Sequence, residues 1–348
     1  MAEQLFYDWP SSRQIPPMPM LWNDGLTHAI EQNHALKLDA PPAGIWAFDD
    51  AQLIGPCIPP VLQSLSEDMK NALFPGYIIR KYADEGYTGQ FLQGGGEHRT
   101  IDTAWTVWNY NCVIYGHFLL EVMPRLLVMR AAHRLDPSLA AIPIILPANA
   151  PSYALKWIDL LLPDFHVETK ELQDVLTVRR LLIPGWGNRF VYSDVVHDEL
   201  EWLTAPYRQD GAARKRIFVD RRVQSYRILA NAQQLQDIAA SYGFESVSPE
   251  HLTLEQQIAL FASADDVIGE FSSALHNSIF SPAGCRVMAM NYITECQSRI
   301  GNFRRQRVGY ILPREGPIGF DPSIKGERHF EIDAATFERK LNIMLKRQ

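Results

Sequence analysis

The 348-residue sequence predicts an α/β protein whose parallel sheets carry helices on their faces. Three observations carry that expectation. From about Tyr115 onward, apolar runs of strand length alternate with longer stretches of helical periodicity. Between Ile217 and Met290 the alternation becomes strict, strand following helix following strand, and parallel strands need such crossover helices. The chain is also long enough for two ordinary domains, and the small polar stretch from Gln209 to Lys215 offers a break between them.

The elements follow in order. The first hundred residues are irregular, punctuated by Pro10, Pro16, Pro17, Pro19, Pro41, Pro42, Pro56, Pro59 and Pro60. Short strand candidates lie between, at Tyr77-Ile78-Ile79 and Trp105-Thr106-Val107-Trp108, and the segment reads as one that wraps a larger domain. A helix is expected from near His117 to Ala132, bent or restarted at Pro124 because proline has no N–H to donate. Strand Ile142–Leu146 follows, then helix Ser152–Leu162 with Ser152 as cap, strand Val178–Ile183, and a helix capped by Ser193.

Beyond the linker, Ile217–Val219 is a strand, and Asn231 caps a helix with Leu235, Ile238, Ala239 and Tyr242 on one face, stopped by Gly243. Phe244–Ser248 is a strand. Thr253 and Gln256 form a capping box ahead of the stripe Leu254, Ile258 and Phe261. Val267–Gly269 is a strand, Ser273–Phe280 a helix and Arg286–Met290 a strand. Asp333 caps a terminal amphipathic helix bearing Phe337, Leu341 and Met344. The domain reading is 1–208, 209–330, and a terminal helix within 331–348 that packs on one of them.

Composition removes several functional classes. Hydrophobic content of 47% and charged content of 21% belong to a globular chain, and a net charge of −7 argues against a nucleic-acid partner. Cys57, Cys112, Cys285 and Cys296 are scattered without a CxxC pair, as expected of reduced thiols in a cytoplasmic protein. The start is polar and proline-rich, unlike a signal peptide. No apolar run approaches the roughly 20 residues of a membrane helix. Peripheral contact with a membrane stays open, and oligomeric state is not readable. GxGxxG, Walker and GxSxG motifs are absent, as is Asp-x-Asp, the carboxylate pair many sugar transferases use to hold a metal-bound diphosphate.

Five groups of residues can carry chemistry. His117 and Glu121 are four apart, so a helix places them on one face, either as a proton acceptor with its orienting partner or as a plain ion pair. Arg125 falls near the same line. Asp220-Arg221-Arg222, with Arg227, follows a strand at the edge where parallel sheets bind ligands; arginine grips phosphate with two parallel hydrogen bonds, although a solvated loop has the same composition. Glu270, just past a strand, suits ribose hydroxyls or is a surface carboxylate. Ser272 and Ser273, at the turn into a helix, would seat an anion on unpaired N–H groups or serve only as a cap, with His276 and Asn277 in the turns beyond. Arg304, Arg305 and Arg307 read as a solvated basic face or a site for an anionic acceptor.

These segments, from Tyr115-Gly116-His117-Phe118, Glu121 and Pro124-Arg125 through Asp220-Arg221-Arg222, Arg227 and Asn231 to Gly269–Asn277, together resemble glycosyltransferase family 61, in particular bacterial members. The resemblance implies an inverting transferase of GT-B-like fold, two Rossmann-like domains facing across a cleft. The acceptor would lie mainly on the first domain and the nucleotide sugar on the second. It implies His117 and Glu121 as catalytic residues, Arg222, Arg227, Ser272, Ser273 and Asn277 around the donor diphosphate, and Glu270 on ribose or sugar. Many members have Gly-x-His-Gly at the nucleotide turn; here Phe271 and Ser272 stand in the last two places. Expected partners are a nucleotide-diphosphate sugar and a glycan or polysaccharide acceptor, with no tightly bound cofactor and no required metal. The alternatives are a nucleotide-sugar epimerase or hydrolase of the same fold, and a non-catalytic binding component of a polysaccharide assembly system.

Overall fold

The computed structural model describes residues 3–10, 14–15, 21, 38–57, 59, 95–108, 110–185, 187–188, 191–208, 215–221, 227–292, 295–313 and 328–346. The expected strand at Tyr77–Ile79, nearly all of the linker and Arg222 lie outside them. The chain divides into two compact units, one of Met1–Gln14 with Asp39–Leu203 and one of Ile15–Leu38 with Thr204–Gln348. Ile15–Leu38, expected with the amino-terminal domain, is thus grouped with the second unit.

The first unit is built on a six-stranded mixed sheet. Its strands are β1 (Glu3–Trp9), β2 (Ala43–Leu53), β3 (His98–Thr106), β4 (Ile144–Pro147), β5 (Val167–Lys170) and β6 (Val175–Gly185), in spatial order β1-β2-β6-β3-β4-β5. The β1–β2 and β2–β6 pairs are antiparallel and the others parallel. The described strands β1 and β2 are thus part of the sheet itself rather than a wrapping around it. Strand β2 escapes sequence reading because Asp49 and Asp50 interrupt its apolar run, Asp50 at a φ of 51°. Strand β4 starts at Ile144 rather than Ile142, after Pro143, and helix α2 (Ser152–Leu161) takes Pro151, not Ser152, as its N-cap residue. Helix α1 (Met123–Leu135) continues a helical path that begins at Tyr115, and α3 (Asp194–Thr204) follows Ser193.

The second unit holds a five-stranded parallel sheet of β7 (Lys215–Val219), β8 (Glu245–Val247), β9 (Ala264–Glu270), β10 (Arg286–Met290) and β11 (Arg307–Ile311), ordered β8-β7-β9-β10-β11. Helices α4 (Ala232–Ser241), α5 (Leu254–Ala262), α6 (Glu295–Arg304) and α7 (Ala334–Leu345) belong to it. The Thr253–Gln256 capping box forms in both directions. Asn231 occupies the N-cap position of α4, yet its side chain bonds the backbone of Ile332 instead, donating to its carbonyl at 2.8 Å and accepting from its N–H at 3.3 Å. Asp333 caps α7 through the Thr336 N–H. Phe337, Leu341 and Met344 of α7 then join Phe218, Leu235 and Ile268 in one core, each such burial stabilising the unit by about 1.5–3 kcal/mol. Arg304 is only 2% exposed, which excludes it from the solvated basic face expected there.

The helix expected at Ser273–Phe280 is a 3-10 helix over Leu275–Phe280. Gly269 explains how closely it approaches the sheet. A Cβ there would meet Val219 Cβ at 3.0 Å and Leu275 Cδ1 at 3.2 Å, so glycine lets β9, β7 and this helix pack together.

Candidate active site

His117 and Glu121 meet as the spacing requires. His117 Nδ1 lies 2.7 Å from Glu121 Oε1, with a third of the histidine side chain exposed and the carboxylate 1% exposed. Donation from Nδ1–H to the carboxylate fixes the tautomer and leaves the lone pair on Nε2. The backbone between the two residues is a π-helical turn over Phe118–Val122, closed by Met123 N–H bonding the Phe118 carbonyl five residues back. Such turns are frequent at functional sites. Phe118, Leu119, Leu120 and Val122 are buried and anchor the turn in the core, and α1 resumes with Pro124 at its start.

Arg125, one turn beyond Glu121, is fully buried and donates from Nη1 to the Pro184 carbonyl at 2.8 Å. Burial pulls its guanidinium below the ordinary value, while Cys112 and Glu121 oppose the shift. Arginine still stays charged at neutral pH, so a buried cation stands behind the Glu121 carboxylate. The i, i+4, i+8 line His117–Glu121–Arg125 is therefore an ordered file running from solvent into the core.

The second cluster sits where the strand order of the parallel sheet reverses. The chain passes from β7 to β8 on one side and then to β9 on the other, so the carboxyl ends of β7 and β9 flank the switch point at which such sheets bind ligands. Arg221 follows β7 and Glu270 ends β9; they pair at 3.2 Å with 11% and 8% of their side chains exposed. Burial raises the Glu270 carboxyl above the usual carboxylate range, and Arg221 and Arg227 act against that rise. Arg227, held at a φ of 55°, reaches the Phe271 carbonyl with Nη2 at 3.5 Å. Four of the residues named from sequence, Arg221, Arg227, Glu270 and Ser272, thus fall in one neighbourhood; the family resemblance places the donor contact on Arg222, which neighbours Arg221 and lies outside the described residues.

At the turn, the capping alternative is the one that forms. The Ser272 carbonyl accepts from the Leu275 and His276 N–H groups at 3.1 and 3.3 Å, and its Oγ accepts from Leu275 N–H at 3.3 Å. Ser272 is therefore a local cap, and the first N–H groups of the short helix are engaged by it. Ser273 remains half-buried beside it. Asn277 is fully buried, and its amide donates to Gln257 Oε1 on α5 at 3.1 Å, linking the two elements. Phe271 packs its ring against His276 and Tyr292, with centroids 5.4 and 5.7 Å away.

A parallel α/β sheet with charged side chains at its reversal point is an architecture of nucleotide-binding proteins. The family model described as Glycosyltransferase 61 matches residues 115–288, half of the chain, and the chain belongs to that family. The match opens at the turn that carries His117 and closes in β10, so it spans both clusters. Comparison with curated proteins found no match. Family membership makes the protein a glycosyltransferase, with a nucleotide sugar and a glycan acceptor as the implied substrates. Among the described residues no helix is long and apolar enough to cross a membrane.

Proposed function

We propose that the protein transfers a hexosyl or pentosyl group from a nucleotide-diphosphate sugar to a hydroxyl of a glycan or polysaccharide, with inversion at the anomeric carbon and in a GT-B-like arrangement. The observation that carries the reading is the His117–Glu121 pair, a partly exposed imidazole held at 2.7 Å by a buried carboxylate. Inversion by direct displacement needs a base to take the acceptor proton as its oxygen attacks. His117 Nε2 takes that proton, and Glu121 stabilises the imidazolium that forms. Arg221 and Arg227, with Arg222 as a further candidate, offset the charge that grows on the departing diphosphate. Glu270, Ser272 and Ser273 complete the donor side, Glu270 turning toward ribose or sugar hydroxyls once diphosphate competes for Arg221. The arginines take the part a divalent cation plays elsewhere, so chelation by EDTA is expected to leave the rate unchanged.

The test separates base from donor site. His117→Ala is expected to abolish turnover while calorimetric affinity for the productive nucleoside diphosphate stays at the wild-type value. A rate within a few-fold of wild type would remove His117 from the role.

A further inference from the structure

We propose that Tyr192 is a positioning residue for the His117–Glu121 pair, acting through the backbone rather than through either side chain. The inference rests on the assignment of His117 as base. Pro124 has no N–H, and in an α-helix residue 124 would supply the donor for the carbonyl four residues back, that of Leu120. Leu120 is 2% exposed, which keeps bulk water from taking over. The Tyr192 hydroxyl donates to that carbonyl at 3.1 Å, and Tyr192 is itself fully buried. The Leu120 carbonyl belongs to the peptide plane joining Leu120 to Glu121. Its orientation fixes the direction in which the Glu121 side chain leaves the π turn, and so fixes where the carboxylate meets His117.

Tyr192 is well placed for this duty. It lies in the short strand Val191–Tyr192, paired with Gly187–Asn188, one residue before Ser193 and helix α3. Helix α3 is tied to α1 by Glu199, whose buried carboxylate pairs with Arg130 and Arg134, and by Trp202, whose ring lies 3.1 Å below the Arg130 guanidinium. The hydroxyl therefore comes from a segment already fastened to the helix that it corrects.

The experiment is a double-mutant cycle on the full chain with Tyr192→Phe and Glu121→Gln, measuring kcat, KM for donor and melting temperature. Tyr192→Phe is expected to lower kcat about tenfold with donor KM unchanged. In the Glu121→Gln background it is expected to cost little further, because the carboxylate it positions is gone. Additive losses overturn the inference, as does a wild-type kcat for Tyr192→Phe. A second arm uses Pro124→Ala, which gives residue 124 an N–H that meets the Leu120 carbonyl once the turn adopts α register. In that background Tyr192→Phe is expected to cost less, in rate and in melting temperature, than in wild type; an equal cost overturns the mechanism even if Tyr192→Phe alone folds poorly. His117→Ala run alongside keeps the two readings apart. An active His117→Ala defeats the base assignment, whereas an inactive one with an uncoupled cycle defeats only the role of Tyr192.

Discussion

Replacing Glu121 by glutamine isolates the electrostatic part of the proposed base. The substitution keeps length and volume in a site where the side chain is 1% exposed, so it leaves no cavity. What changes is the 2.7 Å contact with His117 Nδ1. A hydrogen bond to a charged group contributes about 1.5–3 kcal/mol and a neutral one about 0.5–1.5, so the exchange removes roughly 1–1.5 kcal/mol, or about tenfold in rate. The loss grows in the transition state, where imidazole becomes imidazolium and the carboxylate would have faced a full positive charge. Glutamine can also turn its NH₂ toward Nδ1, which would place the ring's remaining proton on Nε2 and block proton uptake; a wrong tautomer costs about 10⁴ in the Ser-His-Asp case. The expected fall in kcat is therefore between about tenfold and about 10⁴-fold, with calorimetric affinity for donor diphosphate unchanged. Initial-rate assays of sugar transfer, with donor hydrolysis as a second readout, measure it. A kcat within about threefold of wild type would refute the reasoning, since even the smallest of these contributions exceeds that.

Arg221→Ala is expected to weaken donor diphosphate binding by about tenfold to a hundredfold, the range of one charge-assisted hydrogen bond; titration calorimetry decides. Asp266, fully buried, accepts from Arg286 Nε and Nη2 at 2.5 and 2.8 Å and from Arg216 Nε at 3.3 Å. Asp266→Asn should destabilise the protein by about 3 kcal/mol, lowering Tm by roughly 6–12 °C in a calorimetric scan. The third concerns pH. Because burial raises the Glu270 carboxyl, its stabilising contribution is complete below the ordinary carboxylate range and fades as pH climbs through the raised value. The Tm of wild type minus that of Glu270→Gln should accordingly fall with rising pH across that interval, and a difference that rises instead would contradict the buried environment.

Legibility of the fold followed local chemistry. Thr253-x-x-Gln256 and Asp333 announced two helix starts because a side-chain oxygen and a backbone N–H a few residues apart settle them alone. The parallel strands of the second unit were legible because strands covered on both faces are continuous apolar runs. Strand β2 was not, because Asp49 and Asp50 sit within it and its place is set by pairing with β1 and β6, which no local pattern encodes. Pro124 gave a third kind of signal. It foretold a disturbance in the helix; the disturbance is a π turn over Phe118–Val122, and the Leu120 carbonyl within it accepts from a hydroxyl of Tyr192, 72 residues away.

The turn after β9 shows how one motif can suggest two forces. Read as sequence, Gly269-Glu270-Phe271-Ser272-Ser273 suggests an anion held by the open N-terminus of a helix. The Ser272 carbonyl and hydroxyl engage the N–H groups of Leu275 and His276, and the helix that follows is a six-residue 3-10 segment with little dipole to offer. Charge at that place comes from side chains instead. Arg221 reaches Glu270 across the junction of β7 and β9, and Arg227 reaches the carbonyl of Phe271. Two guanidinium groups against one carboxylate leave that place net positive, and protonation of Glu270 adds to the excess. Phosphate recognition of this kind depends on guanidinium geometry, so Arg221→Lys should bind donor nearly as poorly as Arg221→Ala. Wild-type affinity in the lysine variant would return the weight to simple charge and to the backbone of the turn.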